Sequence, residues 1–425
     1  MTSQQDGMPG VAKAEVLQRA REHLFPHRID VLSSLGVDLV IGQREGYRFK
    51  DMDGREFMDF HLNGGTYSLG HRNPELLAVL RESLEFADVG NHHFPNPARA
   101  ELAEKLARAT GLQYCVFTPS GAEANDVAIK SARHFTGRRK IVALEQGYHG
   151  RSGLSGAAGD DSTAAWFGSD YPEEFIKVPF NDIDAMERAL SGADVAAVLM
   201  ETIPATSGFP MPAPDYLPAV RSLCDRFGAL YIADEVQTGL GRTGKLWGVD
   251  CWGVRPDILI TGKCLSGGLY PVSAAVLSKD VGGWLAEDGW GYVSTFGGAE
   301  PGCAVGCRAL EICAAPTTLA NVQVVAARMG SGLEDIRSRH PFLLEIRQQG
   351  LVMGLKFDAP DGGARMTAAL FQHGVWAMFA GFDRSVLQWK PGLLVDQAYC
   401  DEALQRFEDA LSSLSSACGA NTGGR

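Results

Sequence analysis

From about residue 74 onward, two rhythms of apolar residues alternate along this chain. Tyr114–Thr118, Lys140–Leu144, Val195–Glu201 and Leu230–Asp234 are short, nearly unbroken apolar runs and read as buried strands. Between them, Ala98–Thr110, Ala122–Phe135 and Asp215–Phe227 repeat apolar positions at helical spacing. This alternation predicts an α/β fold with a mainly parallel sheet covered on both faces. Such sheets bind ligands beyond the carboxyl ends of their strands. Glu201 and Asp234 fall there, and so does Lys263, just after the apolar stretch Ile258–Thr261.

The flanks follow other patterns. Residues 11–35 read as an amphipathic helix, and residues 38–60 as a hairpin about Asp53-Gly54. A helix is expected at 302–313 and a long one after 310, then strands near 344–357 and helices at 363–374 and 400–416. The expected organisation is an N-terminal segment (1–60) belonging to a small domain, a large domain (61–310), a C-terminal small domain (311–415) and a disordered tail (416–425). No internal repeat is visible.

Composition narrows the class. With 425 residues, 45% apolar and 21% charged, the chain can bury a large core. Its net charge of −12 argues against a nucleic-acid or anionic-membrane partner. Met1–Gly10 lacks an apolar segment of signal-peptide type, and nothing reaches the roughly 18 apolar residues of a membrane span. Nine cysteines, an odd number without framework spacing, suggest reduced thiols and a cytoplasmic protein. Cys303 and Cys307 lack the second pair a metal site needs, so they read as helix-packing residues, and no metal is expected.

The chemistry centres on Asp234 and Lys263. Opposite charges at the ends of neighbouring strands suit a pyridoxal phosphate site. The amine forms a Schiff base with the aldehyde, while the carboxylate keeps the pyridine nitrogen protonated. Thr118-Pro-Ser-Gly-Ala-Glu-Ala-Asn125 follows a strand and opens a helix, a place where small residues let backbone N–H groups approach an oxyanion. Gln146-Gly-Tyr-His-Gly-Arg151 offers an aromatic able to stack on a flat ring. Glu235-Val-Gln-Thr-Gly-Leu-Gly-Arg-Thr-Gly244 continues from Asp234, and Ser294-Thr-Phe-Gly-Gly298 lies further on.

These five segments, in this order, resemble the class III pyridoxal-phosphate-dependent aminotransferases. This fold-type I group includes the ornithine, 4-aminobutyrate and glutamate-1-semialdehyde enzymes. The resemblance implies a large domain with a seven-stranded, mainly parallel sheet, and a smaller α+β domain built from both chain ends. It implies pyridoxal 5'-phosphate held by Ser120, Gly121, Ala122, Tyr148, Asp234, Gln237 and Lys263. Thr295 would reach the phosphate of a partner subunit, which makes a homodimer with a shared active site. His149 would shape the site and Glu201 support it. The implied reaction is ping-pong transfer from an amino donor to a carbonyl acceptor. The alternatives are an aminomutase like the glutamate-1-semialdehyde enzyme, an epimerase, or a non-catalytic cofactor-binding protein; the last predicts erosion of Lys263 or Asp234, and both are intact.

Two positions depart from the pattern. Many members carry an arginine that clamps a substrate carboxylate and a glutamate that gates it. Here Gln388 stands in the arginine position and Thr206 at the gate. A different substrate-recognition scheme is expected, with Lys390 or Arg384 still able to reach a carboxylate. Asn63, Tyr67, His92, His93, Phe94 and Trp389 are expected to line a pocket suited to an amine, amino alcohol or semialdehyde.

Overall fold

The computed structural model describes residues 11–91 and 93–420. Met1–Gly10, His92 and residues 421–425 lie outside it, and with them part of the expected tail. The final helix, Gln397–Ala420, runs into that tail rather than stopping near 416.

The large sheet has seven strands: β4 (Tyr114–Thr118), β5 (Lys140–Leu144), β6 (Phe175–Val178), β7 (Val195–Glu201), β8 (Leu230–Asp234), β9 (Ile258–Thr261) and β10 (Ser273–Leu277). In space they run β4-β10-β9-β8-β7-β5-β6. All neighbours are parallel except β10, which is antiparallel to both β4 and β9. Every residue of β7 to β10 is buried, which explains their unbroken apolar character. The helix Gly121–Thr136 packs Ala124, Val127, Ala128 and Ala132 into the core on one face. Tyr216–Phe227 packs Leu217, Val220 and Leu223 on the other. In register, Glu201 pairs with Asp234 and Asp234 with Ile260, so both carboxylates and the chain leading to Lys263 leave the sheet side by side.

The two chain ends build the rest together. β1 (Ile41–Glu45), β2 (Arg48–Asp51) and β3 (Glu56–Asp59) form an antiparallel meander, and β13 (Val375–Trp376) joins β3 in parallel. Asp51 closes the hairpin by accepting the N–H groups of Asp53 and Arg55. A third sheet runs β11-β12-β15-β14, from Leu343–Gln349, Val352–Phe357, Val386–Trp389 and Met378–Phe379. The single helix expected over 11–35 is two, Lys13–His23 and Pro26–Ser34, because Pro26 cannot donate to a preceding turn. Helices Glu300–Ala314 and Pro316–Arg339 bend by 59° at the Ala315-Pro316 junction. Among the described residues no single helix is long and apolar enough to cross a membrane.

Candidate active site

Lys263 opens a short 3-10 turn directly after β9. Its φ of +44° is a left-handed conformation that non-glycine residues rarely adopt. The residue is half-buried, and among the described residues its amine has no ion-pair partner. Burial pulls the ammonium pKa down, while the charges of Asp234 and Glu201 oppose the shift. Facing it is a second left-handed run, Leu62, Asn63 and Gly64. A Cβ on Gly64 would sit 3.0 Å from Lys263 Cε, so only glycine leaves room for the lysine stem.

Asp234 is buried with both oxygens occupied. His149 Nδ1 lies 2.8 Å from Oδ2, Asn125 Nδ2 donates to the same oxygen at 3.0 Å, and the Val236 N–H donates to Oδ1. Burial pushes the carboxyl pKa up, but the His149 hydrogen bond and charge and the two N–H donors outweigh it, holding Asp234 anionic. Glu201, its neighbour in register, accepts from the backbone N–H of Tyr148 at 3.0 Å and of Ala205 at 3.2 Å. Burial raises the Glu201 pKa to about 7, against the opposing charge of His149.

One cavity is lined by Ser120, Gly121, Ala122, Tyr148, Asp234, Gln237 and Lys263. Ser120 caps the helix Gly121–Thr136, its Oγ accepting the Glu123 N–H at 3.3 Å. The amides of Gly121 and Ala122 belong to the first turn and have no acceptor within the helix. Gly150, at φ +114°, lets the 146–151 loop close on them; a Cβ there would lie 2.4 Å from Ala122 Cβ. Gln237 Oε1 is buried with no hydrogen-bond partner among the described residues. A free amine, an anchored carboxylate, unused helix-start amides and an unpartnered amide oxygen together fit pyridoxal phosphate.

The family model for class-III aminotransferases matches residues 33–411. The chain belongs to that family. It is similar to an uncharacterised aminotransferase of Archaeoglobus fulgidus, 42% identical over 94% of both chains. It is also similar to the acetylornithine aminotransferase of Neisseria meningitidis serogroup A, 36% identical over 88% of this chain and 94% of the relative. Among solved structures, the ornithine aminotransferase of Toxoplasma gondii superposes with a TM-score of 0.88 at 26% identity, covering 96% of this chain and 97% of its own. The protein is therefore a pyridoxal-phosphate-dependent transaminase of fold type I.

Other expected residues of this aminotransferase are placed unevenly. Tyr67 lines a second cavity that shares Ser120, Gly121 and Lys263 with the first, and its ring lies 4.2 Å from that of His71. Asn63 is exposed on the strained run. Thr206 is half-buried, with its carbonyl taken by the Phe382 N–H. Gln388 is buried and donates to the Ala205 carbonyl at 2.8 Å, so the position expected for the arginine makes a neutral bond to the backbone one residue before the expected gate, Thr206. Thr295, His93 and Phe94 are exposed, with His93 edge-on to Trp290 at 4.8 Å. Trp389 is a correction: it is 0% exposed and packs between Phe60 (3.8 Å) and Phe407 (5.3 Å) in the core. Strand alternation turns its side chain away from Gln388. Arg384 is exposed and stacks on Phe379, 5.0 Å from the ring centre.

Several contributors escaped sequence reading. Asn125 reaches Asp234 across 109 positions. Asp59 holds the strained run by accepting from the N–H groups of His61 and Leu62 while pairing with His71 at 2.8 Å. His61 is half-buried near both Lys263 and Lys390, whose charges, after desolvation, lower its pKa. Only Asn125 sat inside a recognised motif; Asp59 and His61 carry no spacing signal.

Proposed function

We propose that this transaminase exchanges an amino group between a primary amine or amino acid and an aldehyde or keto acid without an arginine clamp. The observation that carries this reading is the Gln388–Ala205 bond. Where many relatives place a charged pair, an amide meets a carbonyl beside Thr206. When bound, pyridoxal phosphate supplies the electron sink for bonds at the carbon bearing the amine. Asp234 would hold a negative charge toward the ring nitrogen, and Tyr148 would offer its ring as a platform. Ser120 and the amides of Gly121 and Ala122 would take the phosphate, and Gln237 the phenolic oxygen. Lys263 Nζ, its ammonium pKa lowered by burial, would hold and move the proton in the transfer.

Thr295 completes the phosphate site of a second copy in this proposal. Exposed apolar residues support that pairing: Phe86 (77%), Phe94 (78%), Trp290 (65%) and Phe296 (52%) lie on two loops joined by the Asn91 N–H donating to the Thr295 carbonyl at 2.6 Å. The free thiols of Cys224, Cys264, Cys303 and Cys313 are in keeping with a cytoplasmic setting.

The test mixes the yellow protein with candidate amines, follows the cofactor absorbance, and then adds carbonyl acceptors. A lasting spectral change reversed only by an acceptor is expected. Isomerised product formed without a second substrate would instead assign a mutase.

A further inference from the structure

We propose that Lys390 is the carboxylate-recognition residue of this aminotransferase, receiving a carboxylate of the keto-acid acceptor beside Gln388, just past the end of β15. The proposal rests on the transaminase reading and names the substrate class of that same site.

Lys390 is 1% exposed, and among the described residues no carboxylate lies within ion-pair distance of its ammonium. Its hydrogen-bond partner is the neutral Oε1 of Gln388, which is itself anchored to the Ala205 carbonyl. An isolated buried ammonium is costly, and chains that keep one usually supply an anion. This chain surrounds it with more positive charge. Arg242 lies close by, but its guanidinium is committed to Ser68 Oγ and the Pro391 carbonyl. The charge of Lys263 also bears on it, and the neighbouring His61, its pKa lowered, has a buried Nδ1 with no partner among the described residues. The acid near Lys390 among the described residues, Asp59, is already engaged by His71 and two backbone amides. The remaining wall is the Phe209 ring, 5.8 Å from Nζ. The missing anion is supplied by the ligand.

The end of β15 explains why this falls to position 390. Trp389 closes the strand by packing into the core against Phe407, and Lys390, the next residue, turns its amine back onto the Gln388 side chain. The cation absent at 388 is supplied two residues later, hydrogen-bonded to the amide that stands there.

A lysine here also solves a problem shared by transaminases, which must admit two substrates in turn. Burial, then the charges of Arg242 and Lys263, bring the Lys390 pKa to about 7, with Asp59 opposing. Near neutrality it can therefore stay uncharged beside a neutral group and take up a proton when a carboxylate arrives. A gating glutamate becomes unnecessary, in keeping with Thr206.

The test compares 2-oxoglutarate with butanal as acceptors. In Lys390→Met the ratio of their kcat/KM values is expected to fall about 100-fold, and in Lys390→Arg to recover to within about tenfold. An equal fall for both acceptors, or no change, overturns the proposal. In the native enzyme KM for 2-oxoglutarate is expected to rise about tenfold per pH unit above about 7, and in Lys390→Arg to stay flat. Calorimetric titration of the holoenzyme with glutarate at pH 8, in HEPES and in Tris, reads the proton directly. Uptake approaching one proton in the native protein and none in Lys390→Met is expected; no native uptake overturns the proposal. If no amine alters the cofactor spectrum, the transaminase reading fails, while the glutarate titration still reports on Lys390.

Discussion

At Lys263 the chain accepts two costs at once, a partly desolvated amine and a left-handed backbone. Both serve a free, rigidly placed Nζ. Lys263→Ala is expected to abolish turnover and leave the cofactor removable by dialysis, as absorbance of the dialysed protein will show. Asp234→Asn keeps the shape but removes the charge that His149 and Asn125 support; a loss of kcat by about 10²–10³-fold is expected in steady-state assays. Glu201 carries a pH signature. Its folded pKa is raised to about 7, so the stability it contributes is complete in acid and is lost as pH rises through 7. Glu201→Gln, which mimics the protonated form but spoils one backbone hydrogen bond, is therefore expected to lower Tm more at pH 5 than at pH 8. At this scale the sequence was informative where one residue type has one plausible use, as at Asp234 and Lys263. It misled at Trp389, because an aromatic beside a pocket-facing residue is equally suited to a core.

Elements were legible to the degree that their burial is uniform. The bounds expected for β4, β5, β7, β8 and β9 match the structure, since strands buried on both faces read as plain apolar runs. The two-residue strands β13 and β14 were not foreseen: each exists only through its pairing, with β3 or β15. The helix Gly121–Thr136 is where element and function coincide. Ser120→Ala removes its cap and is expected to cost about 1 kcal/mol of stability in thermal or urea unfolding. Gly150→Ala is more severe. It forces a side chain to φ +114° and into Ala122, so that the loop must lift from the helix start. A destabilisation of about 2–4 kcal/mol and weakened cofactor retention are expected, read from unfolding curves and cofactor titration.

Across the whole molecule, the site draws on chain regions hundreds of positions apart. β3 and the strained run after it come from the N-terminal segment, β8 and β9 from the large sheet, and β15 from the C-terminal segment. A second copy would add Thr295. Phe296→Asp, on the exposed loop beside it, is expected to shift a dimer toward monomer in sedimentation and to weaken cofactor binding together with assembly. What the sequence determined alone was the layered α/β fold and the charge pair at its sheet ends, because strand burial and strand-end chemistry are local properties of the chain. Tertiary structure alone decided which basic groups crowd around Lys390 while the nearby Asp59 is engaged elsewhere, and that the end of β15 delivers Lys390 among them. That balance depends on distances between segments that no local pattern encodes.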